Sequence, residues 1–235
     1  MKSVLNSVRG GFLGVLPLLT LCLTTGLAKP PAAPQDTGQP RKTVMAVRVE
    51  SAITIDGNLD EQEWERAEPA TDFIQQNPQT GQPSTERTEV RLLYDDENLY
   101  VGVYCFDSAG PEGLVVHQVT RDFPGFEEDQ FGVILDTFQD NRNGFIFNTN
   151  PQGAKSDAQV GGDGTSYNRN WDTIWHVQSK ITEAGWQTEI AIPFKSLRFN
   201  QSQNYNWGIN FSRRIRRKNE ETHWSPIPRP FGISR

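Results

Sequence analysis

Trp175 to Pro193 reads WHVQSKITEAGWQTEIAIP. Trp175, Val177, Ser179 and Ile181 alternate with His176, Gln178 and Lys180; after the turn TEAG, Trp186, Thr188, Ile190 and Ile192 alternate with Gln187, Glu189 and Ala191. A period of two places each set on one face of a strand, and a turn ending in Gly185 joins the two strands as a hairpin. Trp175 and Trp186 are therefore core residues. Trp171, in NRNWD just upstream, lies outside the alternation and is expected to be a partly exposed strand-entry anchor.

The same signals recur on both sides. TEVRLLY and LYVGVYCF flank the turn DDEN, and their largely apolar faces suit central strands. QFGVILDTF and GFIFNTN form another pair across QDNRN, YNWGINFSRRI adds a strand, and VMAVRVE and AITIDG are short β-branched pieces near the start. In GNLDEQEWERAEPA, Asp60 is the expected cap of a brief helix that turns Trp64 and Ala67 to one face. Trp64 and Trp207 join the core. Asn150 to Asn170, Gly-rich and polar, reads as a long loop. Seven or more short strands with almost no helical periodicity predict an all-β protein, an antiparallel β-sandwich with one or two short helices.

Outside this region the composition changes. Residues 1–28 carry Lys2 and Arg9, then the apolar run GGFLGVLPLLTLCL, then small residues before Ala28, the order of a secretory signal peptide. Residues 29–43 form a Pro-rich linker too poor in large apolar groups to order itself. The sandwich is expected over 44–211 and a basic, Pro-rich exit segment over 212–235, leading to a missing C-terminal domain. Loss of the leader removes two cations and takes the formal charge from −6 to −8, which argues against nucleic acid as a partner. The basic cluster SRRIRRKNEE, Ser212 to Glu221, reads as a solvated strand end, with phosphate or lipid head-group contact as the alternative. Cys105 then stands alone in an apolar run, which reads as a buried structural thiol.

Catalytic signatures are missing. His117, His176 and His223 are far apart and outside any ligand-pair spacing, GGDGTS lacks the ending of a phosphate loop, and no G-x-S-x-G elbow occurs. Asp129 with Asp136 would be an arbitrary choice of glycosidase pair among many acids. Asp95 and Asp96 in the DDEN turn, and Glu127 and Asp129 in EED, are oxygen donors at short spacing, so structural calcium and ordinary turn chemistry both remain open for them.

ITIDGNLDEQEWERAE, VRLLYDDENLYVGVYCFD, EEDQFGVILDTF and GWQTEIAIPFKSL, in that order over roughly residues 47–211, resemble the family 9 carbohydrate-binding module, a DOMON-like, jelly-roll-type β-sandwich. NWDTIWHVQSKITEAGWQTEIAIPFKSLRF followed by NWGINFSRRIRRKNEETHWSPIPR resembles the form found in front of bacterial outer-membrane β-barrels. The resemblance implies a non-catalytic, exported module of the periplasm, outer membrane or extracellular space, associated with polysaccharide breakdown or uptake. Its implied partner is a poly- or oligosaccharide clamped between two aromatics. Phe126 matches one clamp position, Trp224 or Phe231 the other, and Asn148 a retained polar contact. Gly132 and Ile146 stand where sugar binders carry a carboxylate and an arginine. The alternative partner is the outer-membrane barrel of a longer chain, with the sugar site lost. Haem-binding relatives of the fold use ligands such as methionine; after leader removal only Met45 remains, so no haem is expected. Export should yield a mature N-terminus at Lys29, read by intact mass and N-terminal sequencing; an uncleaved exported chain would overturn the assignment.

Overall fold

The structure, a computed structural model, describes residues 42–140, 142–162, 166–199 and 206–226. Residues 1–41, over which the leader and most of the linker are expected, lie outside them. Among the described residues, twelve strands fall into two sheets. The first comprises β1 (Val47–Arg48), β3 (Thr88–Tyr94), β4 (Asn98–Phe106), β9 (His176–Thr182) and β10 (Gly185–Pro193), ordered β1-β3-β4-β10-β9. The second comprises β2 (Ile74–Asn77), β5 (Gln130–Asp136), β6 (Gly144–Thr149), β7 (Lys155–Gly161), β8 (Ser166–Asn168), β11 (Gly208–Ile215) and β12 (Glu220–His223), ordered β2-β12-β11-β5-β6-β7-β8. Every pairing is antiparallel except β1 with β3. This is the all-β sandwich the alternation predicts, with one short helix, α1 (Gln62–Glu65).

The layers meet through the residues that the period of two points inward. Val90, Val101, Val103, Trp186, Ile190 and Ile192 of the first sheet pack with Phe131, Val133, Leu135, Phe145, Phe147 and Phe211 of the second. Each buried side chain of this size contributes roughly 1.5–3 kcal/mol. Cys105 belongs to this core, and burial pushes its thiol up to about 12. Arg213 also lies inside, 1% exposed. Its guanidinium donates to the carbonyls of Arg87 (2.9 Å) and Phe106 (2.7 Å) and to Thr88 Oγ1 (3.0 Å), linking β11 to the ends of β3 and β4.

A second cluster covers the opposite face of the first sheet. There Val49, Ile53, Trp64 and Ala67 pack on Leu93, Tyr100 and Ala191. Buried Glu189 organises it, accepting from the backbone N–H of Asp56 (2.9 Å) and Gly57 (2.8 Å) and from Trp64 Nε1 (3.2 Å). Burial pushes this carboxyl up to about 7, although those N–H donors favour its charged form. At the β9 edge, left-handed Gly57 and Gly153 press on the Ser179 backbone, where a Cβ on either would lie 3.2 Å from Ser179 C or 3.5 Å from Ser179 N.

Several expectations need correction. Residues 150–170 are not a loop: β7 and β8 form there, because Ala158 and Val160 are buried and Asp157 is paired with Arg121 at 2.7 Å, which together offset the weak strand propensity of a Gly-rich polar stretch. The boundary at 211 falls inside β11, and β12 completes the second sheet as far as His223. The helix N-cap is Glu61, not Asp60, with no side-chain capping bond. Only Val47–Arg48 of the first two β-branched pieces form a strand. Trp175 is fully buried but sits just before β9, and Ile181, on the same parity, is 40% exposed because β9 is an edge strand.

The Trp64 ring lies on bare Gly102, where an added Cβ would come within 2.8 Å of Cζ3 and 2.5 Å of Leu59 Cδ2. Gly102→Ala should therefore cost about 1–3 kcal/mol in urea unfolding. Gly161→Ala, whose Cβ would meet nothing nearer than 3.6 Å, is the control and should cost less than about 1 kcal/mol.

Candidate functional site

Burial of Phe131, Val133 and Leu135 forces Gln130, Gly132 and Ile134 onto the outer face of the second sheet. The register then aligns side chains across strands. His223 stands opposite Ser212, Ser212 opposite Gly132, Gly132 opposite Asn148, and Asn148 opposite Ser156. This polar row crosses five strands. A Cβ on Gly132 would lie 2.6 Å from both Asn148 Oδ1 and Ser212 Oγ, so the two side chains lean over uncovered backbone. On one side a second polar row holds Glu221, Arg214 and Gln130, with Arg214 donating to Glu221 at 3.3 Å. On the other, Ile134, Ile146 and Ala158 form an apolar strip. Polar and apolar strips side by side suit a ligand with hydroxyls at its rim and C–H groups on its faces.

The loop before β5 projects Phe126, 55% exposed, at the end of the sheet where Gln130 begins. Gly125 takes φ +73°, and a Cβ there would collide with Gln130 Oε1. Two buried carboxylates hold the loop. Glu128 accepts from the N–H of His117 (3.1 Å) and Gln118 (3.3 Å) and from Asn150 Nδ2 (3.1 Å). Asp129 accepts from the N–H of Val115 (2.6 Å) and Arg216 (3.3 Å), while burial raises its pKa.

The same contacts decide the calcium candidates. Asp129 faces N–H donors, which orient its oxygens away from cation duty. Asp95 accepts from the N–H of Glu97 and Asn98 and from the Tyr100 hydroxyl, all at 2.7 Å, as an ordinary turn former. Asp96 pairs with Arg48, and Glu127 is exposed. Among the described residues no three His, Cys, Asp or Glu side chains converge as ligands. These four acids do not fit a calcium cage.

Of the aromatic and polar positions expected in a clamp, Asn148 stands on the outer face, Phe126 is exposed on the loop before β5, and Trp224 is buried. Trp224 is 4% exposed, its ring 5.6 Å from Phe211, and its N–H donates to Phe211 O at 2.9 Å. The expectation of an uncovered Pro-rich exit fails there because backbone pairing with β11 runs one residue past β12 and turns the indole into the core. Phe231 lies outside the described residues. Trp171 is half-buried against Phe145, centroids 4.9 Å apart, again on the inner side. Arg214, Glu221 and His223 of the outer rows carry no such signal in the sequence. Arg214 reads as part of a basic cluster, and the other two sit on a strand too short to show a period.

The basic cluster is not a solvated strand end. Arg217 pairs with Asp107 and Glu86 at 2.6 Å each, Lys218 with Glu86 at 2.5 Å, and both acids are buried. Arg216 and Arg217 line a recess of about 460 Å³ with Val115, His117, Glu127 and Asn219.

Comparison with known proteins places this geometry. A family model for carbohydrate family 9 binding domain-like proteins matches residues 55–224. A family 9 carbohydrate-binding module from Caldicellulosiruptor kristjanssonii, solved with cellotriose, shares 18% identity, with a TM-score of 0.55 over 77% of this chain and 83% of that one. A module of that family from the same organism, solved with glucose, shares 16% identity, with a TM-score of 0.53 over 77% and 85%. No curated protein matches the chain.

Burial alone would raise the Glu86 carboxyl, but hydrogen bonds from Lys218 and Ser108 bring it from its ordinary 4.5 down to about 2. A depressed carboxyl stabilises the fold fully above pH 4.5 and loses that contribution as pH falls through about 2. The melting temperature should therefore fall across this window, and Glu86→Gln should flatten that part of the profile while lowering the plateau near neutrality. Calorimetry from pH 7 to 2 reads both.

Proposed function

The chain belongs to the carbohydrate family 9 binding domain-like family, one of non-catalytic binding modules, and from this we propose that it is an exported module that holds a neutral oligo- or polysaccharide on the outer face of its second sheet. The observation that carries the reading is the in-register polar row His223–Ser212–Gly132–Asn148–Ser156, flanked by the Ile134–Ile146–Ala158 strip and overlooked by exposed Phe126. A pyranose ring stacks its C–H face on Phe126 while Asn148, Gln130 and the Arg214–Glu221 pair take its hydroxyls. The missing side chain at Gly132 lets Asn148 and Ser212 close over the backbone side by side. The cellotriose and glucose complexes of the solved relatives support the ligand class, and the charged, apolar and small-residue order of residues 1–28 supports export.

One observation favours a second reading, docking of this face on an outer-membrane β-barrel. Ile146 stands where sugar binders carry an arginine, so an apolar side chain replaces a charged sugar contact on this face.

Calorimetry and affinity electrophoresis against cello-, xylo- and chito-oligosaccharides separate the two. The saccharide reading expects binding to at least one series, with Phe126→Ala weakening it about tenfold, the loss of roughly 1–1.5 kcal/mol of aromatic contact. Folded protein retained by none of the three would overturn it in favour of docking.

A further inference from the structure

The turn after β11 carries three consecutive cations, Arg216, Arg217 and Lys218. Two of them are engaged by buried acids: Arg217 by Asp107 and Glu86, Lys218 by Glu86. Among the described residues no carboxylate pairs with Arg216, whose guanidinium meets Asn219 Oδ1 through Nη1. Arg216 lines the recess of about 460 Å³ with Val115, His117, Glu127, Arg217 and Asn219, which leaves most of its five N–H donors for a ligand there.

The recess is assembled by buried carboxylates. Asp129, fully buried, accepts from the Val115 N–H at 2.6 Å through one oxygen and from the Arg216 N–H at 3.3 Å through the other, so two lining residues are clipped to a single side chain. The Asp129 N–H returns to Val115 O at 2.8 Å. The His117 N–H is tied to buried Glu128 at 3.1 Å. Asn219, at φ +49°, donates its N–H to Arg216 O at 3.0 Å while its amide oxygen accepts from the guanidinium. Backbone and side chain of Arg216 are thus both held in place before a ligand arrives.

The lining mixes charge, and that selects the ligand. A compact multivalent anion such as phosphate would meet exposed Glu127 as well as Arg216. A sugar acid keeps its single charge apart from its hydroxyls. Its planar carboxylate suits the two-pronged grip of a guanidinium, and its hydroxyls suit Glu127, His117 and Asn219. The recess also stands beside the proposed saccharide face. Arg214 pairs in register with Gln130, Arg216 is two residues past Arg214, roughly 7 Å along the chain, and Glu127 is three residues before Gln130.

We infer that this recess takes a uronate residue, its carboxylate on Arg216, next to the neutral rings held on the outer face of the second sheet. This rests on the saccharide reading of that face and extends the ligand class to acidic or acid-decorated polysaccharides. Asn219 acts through Arg216 as a positioning residue.

The test titrates the leader-processed chain with two matched pairs: xylotriose with and without one glucuronate branch, and trigalacturonate with its carboxyl-reduced counterpart. In at least one pair the acidic member should bind about tenfold more tightly, the worth of one charge-assisted carboxylate contact. Arg216→Gln should erase that gain and melt with the parent, because its side chain touches only the exposed Asn219 among the described residues. Asn219→Gly keeps the charge and suits the left-handed backbone, so it should keep the fold and lose part of the gain. Arg66→Gln, which removes an equal charge beside α1, should keep all of it. Neutral sugars bound with no gain for the acids, or a gain that survives Arg216→Gln, would overturn the uronate assignment and leave the saccharide reading intact. Inorganic phosphate bound as tightly as the acidic sugars would overturn it in favour of a general anion site. A folded parent that binds neither neutral nor acidic sugars would overturn both.

Discussion

The parity of β5 is the constraint on which the rest depends. Phe131, Val133 and Leu135 are each fully buried, and a slip of one residue would exchange them with Gln130, Gly132 and Ile134. Because β11 and β6 flank β5 on its two sides, their registers follow from its parity, and so does the alignment of Ser212 and Asn148 about Gly132. The polar row is thus a by-product of core packing rather than a separately built device. That economy also means that the outer face inherits the rigidity of the core beneath it.

Where the core ends, buried carboxylates take over. Glu128 and Asp129 hold the loop that carries Phe126, Glu86 and Asp107 hold the turn after β11, and Glu189 holds the segment before α1. Each is satisfied by backbone N–H groups or cations rather than left bare, the condition under which buried charge is tolerated. With Cys105 the sole cysteine among the described residues, no covalent link does this job. The loops of this domain are held by hydrogen bonds to acids that in sequence look like metal ligands or solvated surface.

This explains what could and could not be seen in the chain. β3, β4, β5, β6, β9, β10 and β11 show in the sequence because their alternation or their runs of β-formers between turn residues are long enough to rise above chance, and the fold class follows from them. β7 does not, since Lys155 to Gly161 presents small and polar residues whose burial depends on Arg121, Trp175 and neighbouring β6. β12 is four residues long and is recognisable only from its partners. Asn148 reaches the outer face because it rides on a legible strand. The burial of Trp224 is not legible because a single backbone bond to Phe211 decides it, and β8 is not legible because its composition marks a loop. Similarly, the charge of Arg217 and Lys218 is local sequence, whereas their partners Glu86 and Asp107 are more than 100 residues away.

The two glycine turns that press on Ser179 have a meaning beyond local packing. β9 ends its sheet, and an uncovered outer strand is a template on which another extended chain can add. Gly57 and Gly153 approach that backbone from two separate segments, and at Gly57 the approach is tighter than a side chain would easily allow. Turns packed on the backbone of an edge strand leave less of it accessible to a second chain, so the two glycines bear on how this sheet ends as well as on local packing.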